Sequence, residues 1–157
     1  MFELMVAAKL FLATPRENVG IDRAKLEARF GRPLGIGTDY LPSPTKAGAK
    51  DNVVTLEWPE LRVRLYVSSA THAVSLLGVT TTSDVLDLAS PVHIGVDRAT
   101  VLRELGGPLF EDADQIVYSL KEESDDLPND TVRLVFRDDR VVGIDWTYPL
   151  DGGQVSH

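Results

Sequence analysis

Three histidines, twenty-four carboxylates and no cysteine are the groups with which this 157-residue chain could do acid–base, nucleophilic or metal chemistry. His72, His93 and His157 show no metal-ligand spacing with one another. His93 directly precedes a helix start and reads as a loop residue, and His157 is the terminal residue. Without cysteine there is no thiol nucleophile, cysteine zinc site, disulfide framework or lipid anchor on an N-terminal cysteine. Gly35-Ile36-Gly37 is a short G-x-G, but it follows a helix pattern and lacks both the third glycine and the preceding strand of a phosphate loop. There is no G-x-S-x-G elbow and no Walker lysine. The carboxylates cluster in turns: Glu122, Glu123, Asp125 and Asp126 in one polar stretch, and Asp138-Asp139 at a hairpin tip. A general acid needs surroundings that raise its pKa, which an exposed turn does not supply, and hairpin turns favour Asp on conformational grounds. The spacing over residues 122–130 fits no calcium loop. The expectation is a protein with no catalytic residues, no metal and no cofactor.

Charge narrows the class further. The net charge is −8, which argues against nucleic acid or an anionic membrane as the main partner. Residues 1–84 hold ten basic and nine acidic side chains, and residues 85–157 hold six and fifteen. The acidic half is either a solvated surface or one that steers a basic protein toward it. No run approaches the roughly 18–20 apolar residues of a spanning helix. Residues 4–14 are mostly apolar, but Glu3 and Lys9 break a signal-peptide pattern, so they read as a buried first element. The chain as written is expected to be cytoplasmic, or periplasmic or secreted if the N-terminus is processed.

The elements that must position these groups emerge when the chain is compared with itself. LFLATP (residues 10–15) recurs as LDLASP (86–91) with four of six identical, and VGIDRAKLEARFGRPL (19–34) recurs as IGVDRATVLRELGGPL (94–109) with seven of sixteen identical. The spacing is 75–76 residues, which divides the chain into repeat 1 (1–82) and repeat 2 (83–157). The longer segment carries helix punctuation twice. Asp22 and Asp97 stand at the N-cap, and Ile21/Leu26 and Val96/Val101 occupy staple positions. Phe30 and Leu105 extend the apolar face, and Gly31-x-Pro33 and Gly106-x-Pro108 stop it. Two helices of about two turns each are expected.

After each helix the period changes to two. Val54, Leu56 and Trp58 share one strand face, as do Val63, Leu65 and Val67, and a third strand covers residues 74–81. Residues 42–51 read as a mobile loop and 82–84 as the linker. In the second half, residues 115–120, 131–137 and 142–148 alternate as strands. The fold class is therefore α+β: two tandem repeats, each a short helical segment packed on an antiparallel sheet of about three to four strands.

The unit [VI]-G-[IV]-D-R-x-x-[LV]-x-x-x-[FL]-G-x-P, with strands ending in VRLVFRDDRVVGIDW, resembles the SmpA/OmlA outer-membrane lipoproteins. It is similar also to each half of the beta-lactamase inhibitor protein family, a tandem duplication of such a unit. The resemblance is sharp over residues 19–34, 94–109 and 132–146. It implies non-enzymatic binding of another protein through an exposed sheet. Both families carry cysteines, and this chain has none.

Alternation assigns Val63, Leu65, Val132, Leu134 and Phe136 to the helix-covered side. Arg62, Arg64, Tyr66, Arg133, Arg137 and Asp145 then point the other way. Arginine and tyrosine anchor protein interfaces, so these six are the candidate binding residues. Cross-strand ion pairs with Glu57 and Asp145 would instead make the face a solvated one, and the acidic loop at Asp125 and Asp126 competes as contact surface. The expected function is an inhibitor or immunity-type module binding another protein. The alternatives are a small-molecule or enzymatic domain with a pocket between the repeats, and a structural envelope component.

Overall fold

The computed structural model of the chain describes residues 6–19, 21–44, 46–86, 88, 90–120 and 130–149. Among these, three helices pack on one side of a single eight-stranded antiparallel sheet, a mixed α+β fold. Asp125, Asp126, Glu122, Glu123 and His157 lie outside the described residues.

Helix α1 (Val6–Asn18) contains Pro15. A helical proline leaves the carbonyl four residues back, here that of Phe11, without its N–H donor. The Trp146 indole donates to that oxygen at 3.0 Å, and the Tyr148 hydroxyl donates to the next carbonyl, of Leu12, at 2.5 Å. The Phe11 and Trp146 rings lie 5.4 Å apart. Arg16, 4.1 Å over the Tyr148 ring, pairs with Asp130 at 2.7 Å, while burial pushes the Asp130 carboxyl above its ordinary range. The Trp146 indole thus supplies the donor that the proline lacks, and the Tyr148 hydroxyl adds a second tie to the same turn.

Helices α2 (Arg23–Phe30) and α3 (Arg98–Leu105) are built alike. The Asp22 carboxylate accepts from the Ala24 and Lys25 N–H groups, and that of Asp97 from the Thr100 N–H and hydroxyl. Gly31 (φ 86°) and Gly106 (φ 84°) close the two helices in a conformation that disfavours any side chain, donating to the Glu27 and Leu102 carbonyls. Each glycine carbonyl then accepts from an aromatic side chain at 2.7 Å, the Trp58 indole in one case and the Tyr118 hydroxyl in the other.

The strands are β1 (Gly35–Pro42), β2 (Lys50–Trp58), β3 (Leu61–Val67), β4 (Val74–Thr81), β5 (Phe110–Glu111), β6 (Gln115–Ser119), β7 (Thr131–Arg137) and β8 (Arg140–Thr147). Their order is β1-β2-β3-β4-β8-β7-β6-β5. Gly35 opposes Glu57, and 75 residues on Phe110 opposes Val117. Leu56 opposes Val63 as Ile116 opposes Leu134. Val63 opposes Val79 as Leu134 opposes Ile144. The register shifts at corresponding places: Leu77 on β4 is the extra residue opposite Arg64–Leu65, and Val142 on β8 is the extra residue opposite Val135–Phe136, each next to a glycine, Gly78 and Gly143. At the centre Thr80 opposes Asp145, flanked by Val79–Trp146 and Thr81–Ile144. Strands from either side of residue 82 therefore share one sheet, and their apolar sides contribute to one core.

Two sequence expectations need correction. Four strands in the first half fall within the expected three to four, but β1 (GIGTDYLP) is not among those the alternation marks, because it carries two glycines and a proline and shows no apolar alternation. For the same reason Pro42 and Lys50-Asp51, read as parts of a loop, close β1 and open β2. The hexapeptide match is not structural either: LFLATP lies inside α1, whereas Leu86, Leu88, Ser90 and Pro91 are not helical.

Candidate functional site

Among the described residues no helix covers the opposite side of the sheet, and pleating divides the side chains between the two sides. Val63, Leu65, Val132, Leu134 and Phe136 are each no more than 5% exposed, on the helix side. The open side presents an unbroken row across all eight strands: Gly35, Glu57, Arg62, Thr80, Asp145, Arg133, Val117, Phe110. Three of the six candidate residues fall in it. Arg62 pairs with Glu57 at 3.0 Å, Arg133 pairs with Asp145 at 3.5 Å, and the Thr80 hydroxyl donates to Asp145 at 2.9 Å. The anticipated cross-strand ion pairs are therefore present. They are half-exposed, and such pairs contribute at most about 1 kcal/mol.

The remaining three do not join that row. Arg64 stands two residues along β3, between Thr55 and Gly78, exposed and without an ion-pair partner among the described residues. Arg137 lies four residues beyond Arg133 toward the other end, opposite Arg140, also exposed and unpaired among the described residues. Arg140 turns to the Gly95 carbonyl at 2.9 Å. Tyr66 sits at the Arg64 end, on the order of 30 Å from Arg137 by strand and residue spacing. The six are thus one central cluster with two outlying ends.

Tyr66 also has a task of its own. Its hydroxyl donates to Asp51, a carboxylate at 2% exposure that also accepts from the Ser69 N–H at 2.8 Å and the Ser69 hydroxyl at 2.9 Å. The Ser69 N–H and the Tyr66 hydroxyl, with help from the Ser69 and Ser43 hydroxyls, hold Asp51 below the ordinary carboxylate range and outweigh its desolvation. Burial and the neighbouring Asp51 carboxylate push the phenol up to about 12. At neutral pH this is a carboxylate saturated with neutral donors, a latch between the β1–β2 and β3–β4 turns rather than an acid–base site. Sequence reasoning missed it because nothing in DNVV marks an aspartate as buried. The one available signal was a lone Asp in phase with the open-face residues.

Other polar groups among the described residues make local contacts. Arg98 stacks 4.5 Å over Phe136 and reaches Glu111 at 2.8 Å, the Ala113 carbonyl at 2.7 Å and Asp139 at 3.2 Å. Asp138 and Asp139 both have positive φ, 53° and 64°, as a tight hairpin turn demands. His93 is an exposed loop residue whose Nδ1 lies 2.9 Å from the Ile94 carbonyl and 3.6 Å from Asp84. Gly35-Ile36-Gly37 lies within β1. Among the described residues no three His, Cys, Asp or Glu side chains are grouped to hold a metal, and no helix is long and apolar enough to cross a membrane. A cleft of about 210 Å³ opens beside the row, lined by Glu57, Trp58, Glu60, Leu61, Arg62, Thr80 and Thr82. Comparison with family models, curated proteins and solved structures finds no match.

Proposed function

We propose that the chain is a non-enzymatic protein-binding module of the inhibitor or immunity type, built from two copies of one helix-and-sheet unit and engaging a carboxylate-bearing surface of its partner with the open side of the sheet. The observation that carries this reading is charge placement. In a chain of net −8, the open side gathers Arg62, Arg64, Arg133 and Arg137 against the carboxylates Asp39, Glu57 and Asp145, with Asp51 already sealed by its own donors. Arginine side chains contribute apolar stem and forked donors together, which suits them to a desolvated protein contact. Among the described residues Arg64 has no ion-pair partner to lose, so its burial by a carboxylate forms a pair without breaking one of those. The matching strand registers and matching helix caps support the duplicated unit, and the resemblance to the tandem inhibitor family supports the mode of binding.

The test is affinity capture from the source cell with wild-type chain and with an Arg64→Glu/Arg133→Glu variant as baits, followed by titration of any protein lost selectively from the variant. Arg64→Ala and Arg133→Ala are each expected to weaken that binding by more than about 1 kcal/mol, the threshold of a significant interface residue. Melting temperatures are expected to stay within a degree or two of wild type. Identical captured sets from the two baits would overturn the assignment to this face.

A further inference from the structure

We propose that β1 is a strand-addition edge at which a second copy of this chain pairs antiparallel, joining two sheets into one. Edge strands expose a row of free N–H and C=O groups, and they are usually blunted by shortness, lysine, proline or a bulge. The far edge is blunted in this way: β5 has two residues, and its Glu111 is clamped by Arg98. β1 is not. It runs eight residues in unbroken register with β2, its only charge is Asp39, its only proline is the last residue, and every residue from Ile36 to Pro42 is exposed.

The pattern of β1 is self-complementary. Ile36, Thr38 and Tyr40 oppose Leu56, Val54 and Asn52, so they extend the helix-side surface past the reach of the helices, at 49% exposure for Ile36 and 64% for Tyr40. With the two-fold axis at Thr38, Ile36 meets Tyr40 of the second copy twice, an aromatic–β-branched cross-strand pair of the favourable kind. Asp39 then meets Gly37 of the second copy. Sliding the copies so that the axis falls at Asp39 would set two carboxylates against each other, which selects the first register. Long-range charge agrees with this choice of partner. The half of the sequence that contains β1 holds ten basic against nine acidic side chains, while the strongly acidic half forms the opposite end of the sheet. Two copies approaching through β1 keep their like charges far apart.

Because the chain has no cysteine, a single introduced thiol reports this contact directly. In Thr38→Cys the two thiols face each other across the axis, with Cβ atoms about 5 Å apart, close enough to bridge with slight adjustment. In Gly35→Cys they stand about 20 Å apart. Mild oxidation of the full chain is expected to give covalent dimer from Thr38→Cys and little from Gly35→Cys. Sedimentation of the unmodified protein is expected to show a reversible monomer–dimer equilibrium, weakened about tenfold or more in Ile36→Lys/Tyr40→Lys with circular dichroism unchanged. A wild-type chain that stays monomeric at roughly millimolar concentration overturns the proposal, as does equal cross-linking of the two cysteine variants. Neither result bears on binding through the open face.

Discussion

Removing the Asp51 carboxylate strands four donors: the Tyr66 hydroxyl, the Ser69 N–H, and the Ser69 and Ser43 hydroxyls. A hydrogen bond to a charged group contributes about 1.5–3 kcal/mol, and a buried donor left unpaired costs about 1–3 kcal/mol. The Ser69 and Ser43 hydroxyls can rotate toward solvent, so two donors carry most of the loss, and Asp51→Ala is expected to cost about 3 kcal/mol. In a domain of this size that lowers the melting temperature by about 6–12 °C. Tyr66→Phe removes one bond and leaves the carboxylate its Ser69 partners, for about 1.5 kcal/mol. Urea titration followed by fluorescence of the two buried tryptophans, Trp58 and Trp146, reads these values. The double variant should cost less than the sum of the single ones by about 1 kcal/mol, since the two groups share a bond. The sign with pH is fixed as well. Asp51 is lowered on folding from its ordinary 3.8, so its contribution is complete above that value and disappears as pH falls through the folded pKa. Asp51→Asn should therefore lose most relative to wild type near neutral pH and converge with it in acid. Additive single variants, or an Asp51→Ala within about 0.5 kcal/mol of wild type, would refute the latch and return Tyr66 to the set of residues free to meet a partner.

Trp146→Phe should cost about 1–3 kcal/mol by orphaning the Phe11 carbonyl, and distinctly less in a Pro15→Ala background, where the new N–H supplies the missing donor; a denaturation cycle over the two sites checks this. Leu105→Ala, at 3% exposure, should cost about 2–5 kcal/mol and more than Asp97→Ala at the cap of the same helix. The reverse ranking in urea would give Asp97 a task beyond capping. Gly78→Ala should destabilise by about 1–3 kcal/mol, because a Cβ there would lie 2.9 Å from the Trp146 carbonyl oxygen. Gly143→Ala, with 3.8 Å to the Thr81 oxygen, should melt near wild type.

What was legible in the sequence was whatever local chemistry repeats. Asp22 and Gly31, and again Asp97 and Gly106, bound α2 and α3 because caps act within one turn, and the alternation of β3 and β7 sorted their two faces. What was illegible depends on distant partners. LFLATP and LDLASP look alike, but only the first is helical, with a donor from Trp146, more than a hundred residues away, supplying what its proline lacks. β1 escaped because, exposed along its length, it has no buried face to impose a pattern. In the candidate site, the direction of each arginine followed from period two. Their grouping did not, since it is set by the pairing of β4 with β8, which joins Arg62 and Arg133 in one row and sends Tyr66 and Arg137 to opposite ends.

Positions brought into correspondence by the strand registers behave differently on the two sides of the sheet. On the packed side Val63 corresponds to Leu134, Leu65 to Phe136 and Val79 to Ile144, apolar in every case, as the shared core requires. On the open side Glu57 corresponds to Val117, Arg64 to Val135, Tyr66 to Arg137 and Thr80 to Asp145, and the chemistry changes each time. Apart from the glycines Gly78 and Gly143, only Arg62 and Arg133 keep their type among these open-side positions. They flank the central Thr80–Asp145 pair on strands about 14 Å apart. Their carboxylates nonetheless come from different directions: Glu57 approaches Arg62 from the outer strand, and Asp145 approaches Arg133 from the inner one. A partner that displaced both carboxylates would have to break two weak pairs, whereas one that meets Arg64 breaks none. Arg64 is therefore the sharper probe of the open face. Its removal takes away a charge that nothing in the described fold uses, so a loss of affinity at that position cannot be traded against a loss of stability.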